Sequence, residues 1–230
     1  MICRIKGFEL EILIEEGRLP VLIVLDRPIF RSIVNSFYDN INGNSNNDVL
    51  IEDNNKKIIN YSKELICIDE FFNIDFKSRE IITSLFKEIE KSINVDVEAK
   101  NKIESEVKKL GKLLYQYTDE IDFEISFNQE ISILNILKLY NFQIDVFELD
   151  GALDKLLTLI NIYADFKISN VMVFVNLKSY FNINEIKEIY KSLIYKKVKY
   201  LCIETQFYDK IDGEEIYIID EDLYEINYLK

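Results

Sequence analysis

Glu120, Asp122 and Glu124 alternate with Ile121, Phe123 and Ile125 in the stretch YTDEIDFEISFNQEISIL, residues 117–134. The alternation predicts a strand, and a strand places every second side chain on one face. Three carboxylates would then stand in a row, about 6.6 Å apart. Repulsion between neighbours at that spacing is about 2.5 kcal/mol at an effective dielectric of ~20, and well under 1 kcal/mol in water. Two readings follow: a solvated acidic face, or a site for a hard cation. Asp119 and Glu130 add oxygen donors nearby. Calcium takes six to eight oxygen ligands in adaptable geometry, whereas magnesium demands a stricter octahedron and keeps its waters, so calcium suits the row better. The spacing is not that of a calcium-binding helix-loop-helix, because Ile125 stands at its glycine position and Ile131 at its last bidentate ligand. The same carboxylates could hold the metals of a nuclease or act as a glycosidase pair.

Composition removes other chemistries. The chain contains no histidine, which excludes Ser-His-Asp and Cys-His catalysis and histidine-ligated zinc. Cys3, Cys67 and Cys202 lie far apart and form no CxxC pair. The net charge of −13 speaks against indiscriminate nucleic-acid binding, so any phosphate contact needs a local concentration of lysine. Lys102, Lys108, Lys109 and Lys112 supply one, opposite the Ile103–Val107–Leu110–Leu114 seam of a helix expected over 96–118. Lys56, Lys57 and Lys63 form a second group, and Lys196, Lys197 and Lys199 a third, flanked by Tyr195 and Tyr200. Each is a solvated face or a phosphate-tracking stripe. A nucleotide site needs a glycine-rich cradle between strand and helix. VLIVLD (21–26) runs into RPIF, and VMVFVN (171–176) into LKSYF, both without glycine. Lys178 and Ser179 read as an ordinary turn.

These residues need elements to position them. FELEILIEE (8–16) alternates like a half-exposed strand, while VLIVLD and VMVFVN are continuous apolar runs typical of strands buried on both faces. VLIE (49–52), KKII (56–59), ELICID (64–69), VKYLCIE (198–204) and IYIID (216–220) read as further strands. Helices are expected after Pro28, after the N-cap Ser78, over 96–118, 129–141 and 150–164, and at 184–196. The predicted fold is an α/β head built from both chain ends, 1–76 and 167–230, with an inserted α-helical extension over 77–166. No run of 18 apolar residues is present, so no membrane partner is expected, and MICRIKGFELEI lacks a signal-peptide core; a cytoplasmic location is the expectation.

Taken in order, the opening strand with VLIVLDRPIFRSIV, then ELICIDEFFNIDF, EIDFEISFNQEISIL, VMVFVNLKSYFNINEI and IIDEDLYEI resemble the Csn-two family, the accessory adaptation proteins of type II-A CRISPR–Cas systems. The resemblance covers nearly the whole chain. It implies a head related to P-loop NTPases but without their phosphate-binding loop, and no catalytic activity. It implies a homotetrameric ring that encircles double-stranded DNA, preferentially linear, entered at free ends. It also implies action with the spacer integrase and the RNA-guided nuclease during acquisition of new spacers. The family's calcium-binding acids correspond here to Glu120, Asp122, Glu124 and, after extra SFN residues, Glu130. Its basic residues beyond the early polar loop correspond to Lys56 and Lys57. The long-helix lysines 102, 108, 109 and 112 are assigned to DNA on their placement alone. Two alternatives stand beside this reading: a metal-dependent nuclease or phosphodiesterase using the Glu120/Asp122/Glu124 carboxylates, and a protein-only adaptor of the adaptation complex.

Overall fold

The two continuous apolar runs lie near the middle of one sheet. In the computed structural model, β3 (Leu19–Val24) and β6 (Val171–Val175) are buried at every residue. The structure describes all residues except 119, 129, 147, 148, 229 and 230. The six-stranded sheet has the order β5-β6-β7-β3-β8-β9, with β5 (Leu65–Ile68), β7 (Lys199–Glu204), β8 (Glu214–Ile219) and β9 (Glu225–Tyr228). All neighbours pair in parallel except β8 and β9. A parallel strand buried on both faces has no polar side to alternate, which is why these runs read as unbroken apolar sequence. A smaller antiparallel sheet, β2-β1-β4, joins β1 (Ile2–Ile5), β2 (Glu11–Leu13) and β4 (Val49–Glu52). Its buried Cys3, Ile12 and Ile51 share a core with Leu22, Val24 and Val173 of the large sheet.

Helix starts follow their sequence signals. α1 (Arg27–Ile41) begins where Asp26 accepts the Ile29 N–H at 2.8 Å, with Pro28 in the first turn. α7 (Ile183–Tyr195) carries a capping box: Asn182 accepts the Glu185 N–H, and Glu185 accepts the Asn182 N–H. It links β6 to β7, which lie side by side in parallel.

The chain divides into two compact units, Met1–Asp75 with Val146–Lys230, and Phe76–Asp145. The first is the mixed α/β unit. It includes the short α2 (Tyr61–Glu64) and α6 (Gly151–Asp165). The extension expected over 77–166 would include α6. In the structure it belongs to the α/β unit, because it buries Leu156, Leu159, Ile160 and Tyr163 and packs beside α7. The second unit holds α3 (Arg79–Val95), α4 (Val97–Tyr115) and α5 (Ile133–Leu139). Its small core is Phe86, Ile133 and Leu137, flanked by Ile82, Leu85, Ile89 and Ile103. α4 buries none of its residues.

Three local expectations are corrected. Among the described residues the acidic stretch forms no strand: Gln116–Thr118 make a 3-10 turn, and 121–123 are bends followed by irregular chain. Ile121 and Phe123 are 48% and 81% exposed, so no packed face rewards the alternation, and among the described residues no strand pairs with them. The helix expected at 129–141 starts at Ile133, where Ser132 accepts the Asn135 N–H. Residues 56–59 form a bend and irregular chain after a turn at 54–55, rather than a strand. Lys56 sits at φ 60°, and a single bridge, Glu52 to Ile58, remains.

Candidate functional site

The acidic residues all face water. Glu120, Asp122, Glu124 and Glu130 are exposed, the first in a turn, the second in a bend and the others in irregular chain; Asp119 lies outside the described residues. Glu130 lines a concavity of about 410 Å³ with Glu104, Val107, Lys108, Ile131 and Ser132, which brings it to one of the predicted DNA-binding lysines. Among the described residues, no three carboxylates or thiols converge as a metal cage. The donor chemistry is that of a calcium ligand set, all hard oxygens. In this chain the four residues would have to be drawn together around the ion.

The lysines are held in two different ways. Lys102, Lys108, Lys109 and Lys112 are exposed along α4, within an arc of roughly 120° at 100° per residue. Glu106 accepts a hydrogen bond from Lys109 at 2.7 Å, and this bond holds its carboxyl below the usual range. Lys56 and Lys57 sit on the turn after β4. There Asp53 accepts the backbone N–H groups of Asn55 and Lys57, which hold its carboxyl low and leave both lysine side chains exposed.

Lys178 is different again. Its ammonium is buried and lies 2.6 Å from Glu214 Oε1, and its backbone N–H donates to Glu204 Oε1 at 3.0 Å. Glu214 also accepts the Tyr190 hydroxyl at 2.8 Å and the Ile211 N–H at 3.0 Å. Glu204 and Glu214 are wholly buried, and Glu204 Oε2 has no partner among the described residues. Burial pushes the Glu204 carboxyl up to about 7, against the Lys178 N–H and ammonium, which pull it down. The ammonium is buried and paired with Glu214, so this lysine is not free to meet a phosphate as a P-loop lysine does. Nor do the thiols offer a nucleophile, since burial holds Cys3 and Cys67 near 12 and Cys202 well above its ordinary value.

A family model described as CRISPR-associated protein (Cas_Csn2) matches residues 41–223, which take in the acidic segment, all of α4 and the Lys178–Glu204–Glu214 cluster. The chain belongs to the Csn2 family. It is also similar to the CRISPR-associated protein Csn2 of Streptococcus agalactiae, 24% identical over 206 residues, covering 89% of this chain and 88% of the relative. As a Csn2-family member the chain is CRISPR-associated, and no described helix is long and apolar enough to cross a membrane. The buried Lys178–Glu204–Glu214 cluster escaped sequence reasoning. The signal for it is a glutamate closing one apolar strand, KYLCIE, and another opening the next, EEIYII.

Proposed function

We propose that four copies of this Csn2-family chain form a ring that binds double-stranded DNA without cutting it. The ring loads at free ends, is stabilised by calcium, and serves acquisition of new spacers alongside the spacer integrase and the RNA-guided nuclease. The observation that carries this reading is α4: a 19-residue helix with no buried residue and four exposed lysines on one side, in a chain of net charge −13. Such a stripe tracks a phosphate backbone, and contacts of that kind are independent of base sequence and steeply salt-dependent. Lys56 and Lys57 offer a separate group of exposed cations in the α/β unit. A closed ring supplements modest phosphate affinity, because threaded DNA cannot leave sideways. Calcium on Glu120, Asp122, Glu124 and Glu130 would neutralise carboxylates close to α4 in sequence and order the segment that carries them.

The α/β unit fits a P-loop NTPase sheet that has lost its phosphate loop. β3 runs into Asp26–Arg27–Pro28 and β6 into Asn176–Leu177–Lys178, with no glycine at either turn. The absence of activity is part of the proposal. The native mass measured in calcium and in chelator tests the assembly: a tetramer in calcium supports it, and a monomer in both conditions would remove the ring.

A further inference from the structure

The geometry points to a peptide-docking groove between α3 and α5 that takes a short acidic segment bearing one large apolar side chain; we propose it as a protein-contact site distinct from the DNA-facing lysines. The groove lies wholly within the helical unit and has a volume of about 620 Å³. Ile82, Phe86, Leu134 and Phe142 form its floor. Lys77, Arg79, Lys87 and Lys138 form its rim, and no acid is among the described residues that line it. The chain has 41 acidic side chains against 28 basic ones, so a concavity edged by four cations and no acid departs sharply from the average surface. Among the described residues Arg79, Lys87 and Lys138 make no ion pair, and all three are exposed.

Charge complementarity sets the sign of the partner, and the floor sets its kind. A phosphate backbone is met by cations and has no use for an apolar pocket. Here the cations ring a hydrophobic cavity sized for one or two side chains rather than for a duplex. Phe142 of the floor is itself 47% exposed, and Leu139 and Tyr140, where α5 ends, are 76% and 69% exposed. Three large apolar side chains left in water beside a basic rim have the composition of an interface, with an anchor pocket at the centre and charges around it. The occupant is therefore an acidic peptide with an aromatic or aliphatic anchor. This inference does not depend on DNA threading or on calcium.

The test uses the full chain at about 0.1 M salt, where neighbouring charges still act, and a fluorescein-labelled peptide of alternating glutamate and aspartate with a central Phe-Leu pair. A second peptide carries Ser-Ser in place of Phe-Leu. Anisotropy is expected to show binding of the first peptide and about tenfold weaker binding of the second, the usual order for loss of an anchor. Arg79→Glu, Lys138→Glu and Phe142→Ser each weaken the first peptide about tenfold, with far-UV circular dichroism unchanged, whereas Lys187→Glu on α7 has no effect. Lys138→Gln gives an intermediate loss and stands in if a charge reversal disturbs folding. Equal binding of both peptides would reduce the groove to general anion attraction and overturn the proposal. So would displacement of the peptide by duplex DNA with the same variant dependence, which would make the groove a phosphate surface. Loss of peptide binding as the chain's own concentration and mass rise would give the groove to a second copy, and no binding at all would empty it.

Discussion

Replacing Glu204 by glutamine tests the buried cluster through its proton. Glu204 is wholly buried, accepts the Lys178 N–H on one oxygen, and has the other without a partner among the described residues. Burial raises its carboxyl from an ordinary 4.5 to about 7. The folded state therefore binds the proton more tightly than the unfolded chain. The stability this contributes is complete below pH 4.5 and is lost as pH rises through about 7. At about 1.4 kcal/mol per pH unit, the full loss is about 3 kcal/mol, a large part of an ordinary domain's stability. In Glu204→Gln the amide oxygen can still accept the Lys178 N–H, and no charge develops. The variant should match the parent at pH 4.5 and exceed it by about 2–3 kcal/mol at pH 8. The chain has no tryptophan, so unfolding is followed by far-UV circular dichroism in urea. Parallel pH profiles for parent and variant between pH 5 and 8 would refute the reasoning, because the titrating group would then lie elsewhere.

Two further outcomes follow from the same geometry. Lys178→Met leaves Glu214 and Glu204 buried without their cation and should cost about 3–5 kcal/mol, while Lys178→Met with Glu214→Gln should cost much less; urea unfolding of the single and double variants measures the difference, and equal losses would place the energy outside the pair. If calcium is held by the acidic segment, Glu120→Gln with Asp122→Asn should abolish calcium-dependent thermal stabilisation in a melting experiment, since a ligand that binds the folded state raises its stability; an undiminished response puts the ion elsewhere.

What the sequence made legible depended on whether the signal was local. The runs VLIVLD and VMVFVN announced strands buried on both faces, and they became β3 and β6. Pro28 and Ser78 mark helix starts in the sequence, and the structure adds the Asp26 cap, each cap contact made within three residues. The alternation at Glu120–Ile125 misled because a period of two specifies a strand only when a neighbour completes the ladder. With Phe123 81% exposed, neither core nor partner does so. Lys178, Glu204 and Glu214 are brought together by two parallel strand crossings, and no spacing along the chain encodes that meeting. The α3–α5 groove was hidden for the same reason. Its rim comes from Lys77 and Arg79 at one end of the unit and Lys138 at the other, and each reads alone as an ordinary surface charge.

The central claim concerns topology, and DNA of one sequence in two topologies tests it most directly. The unmodified chain is mixed in calcium with a linear duplex or with the same duplex closed into a circle, and complexes are separated on a gel. The account predicts retention of the linear form, loss of that complex in chelator, little binding of the circle, and no cleavage products in magnesium or manganese. Equal binding of both forms with no effect of chelator would contradict threading and calcium together, and cleavage abolished by Asp122→Asn would make the chain a nuclease.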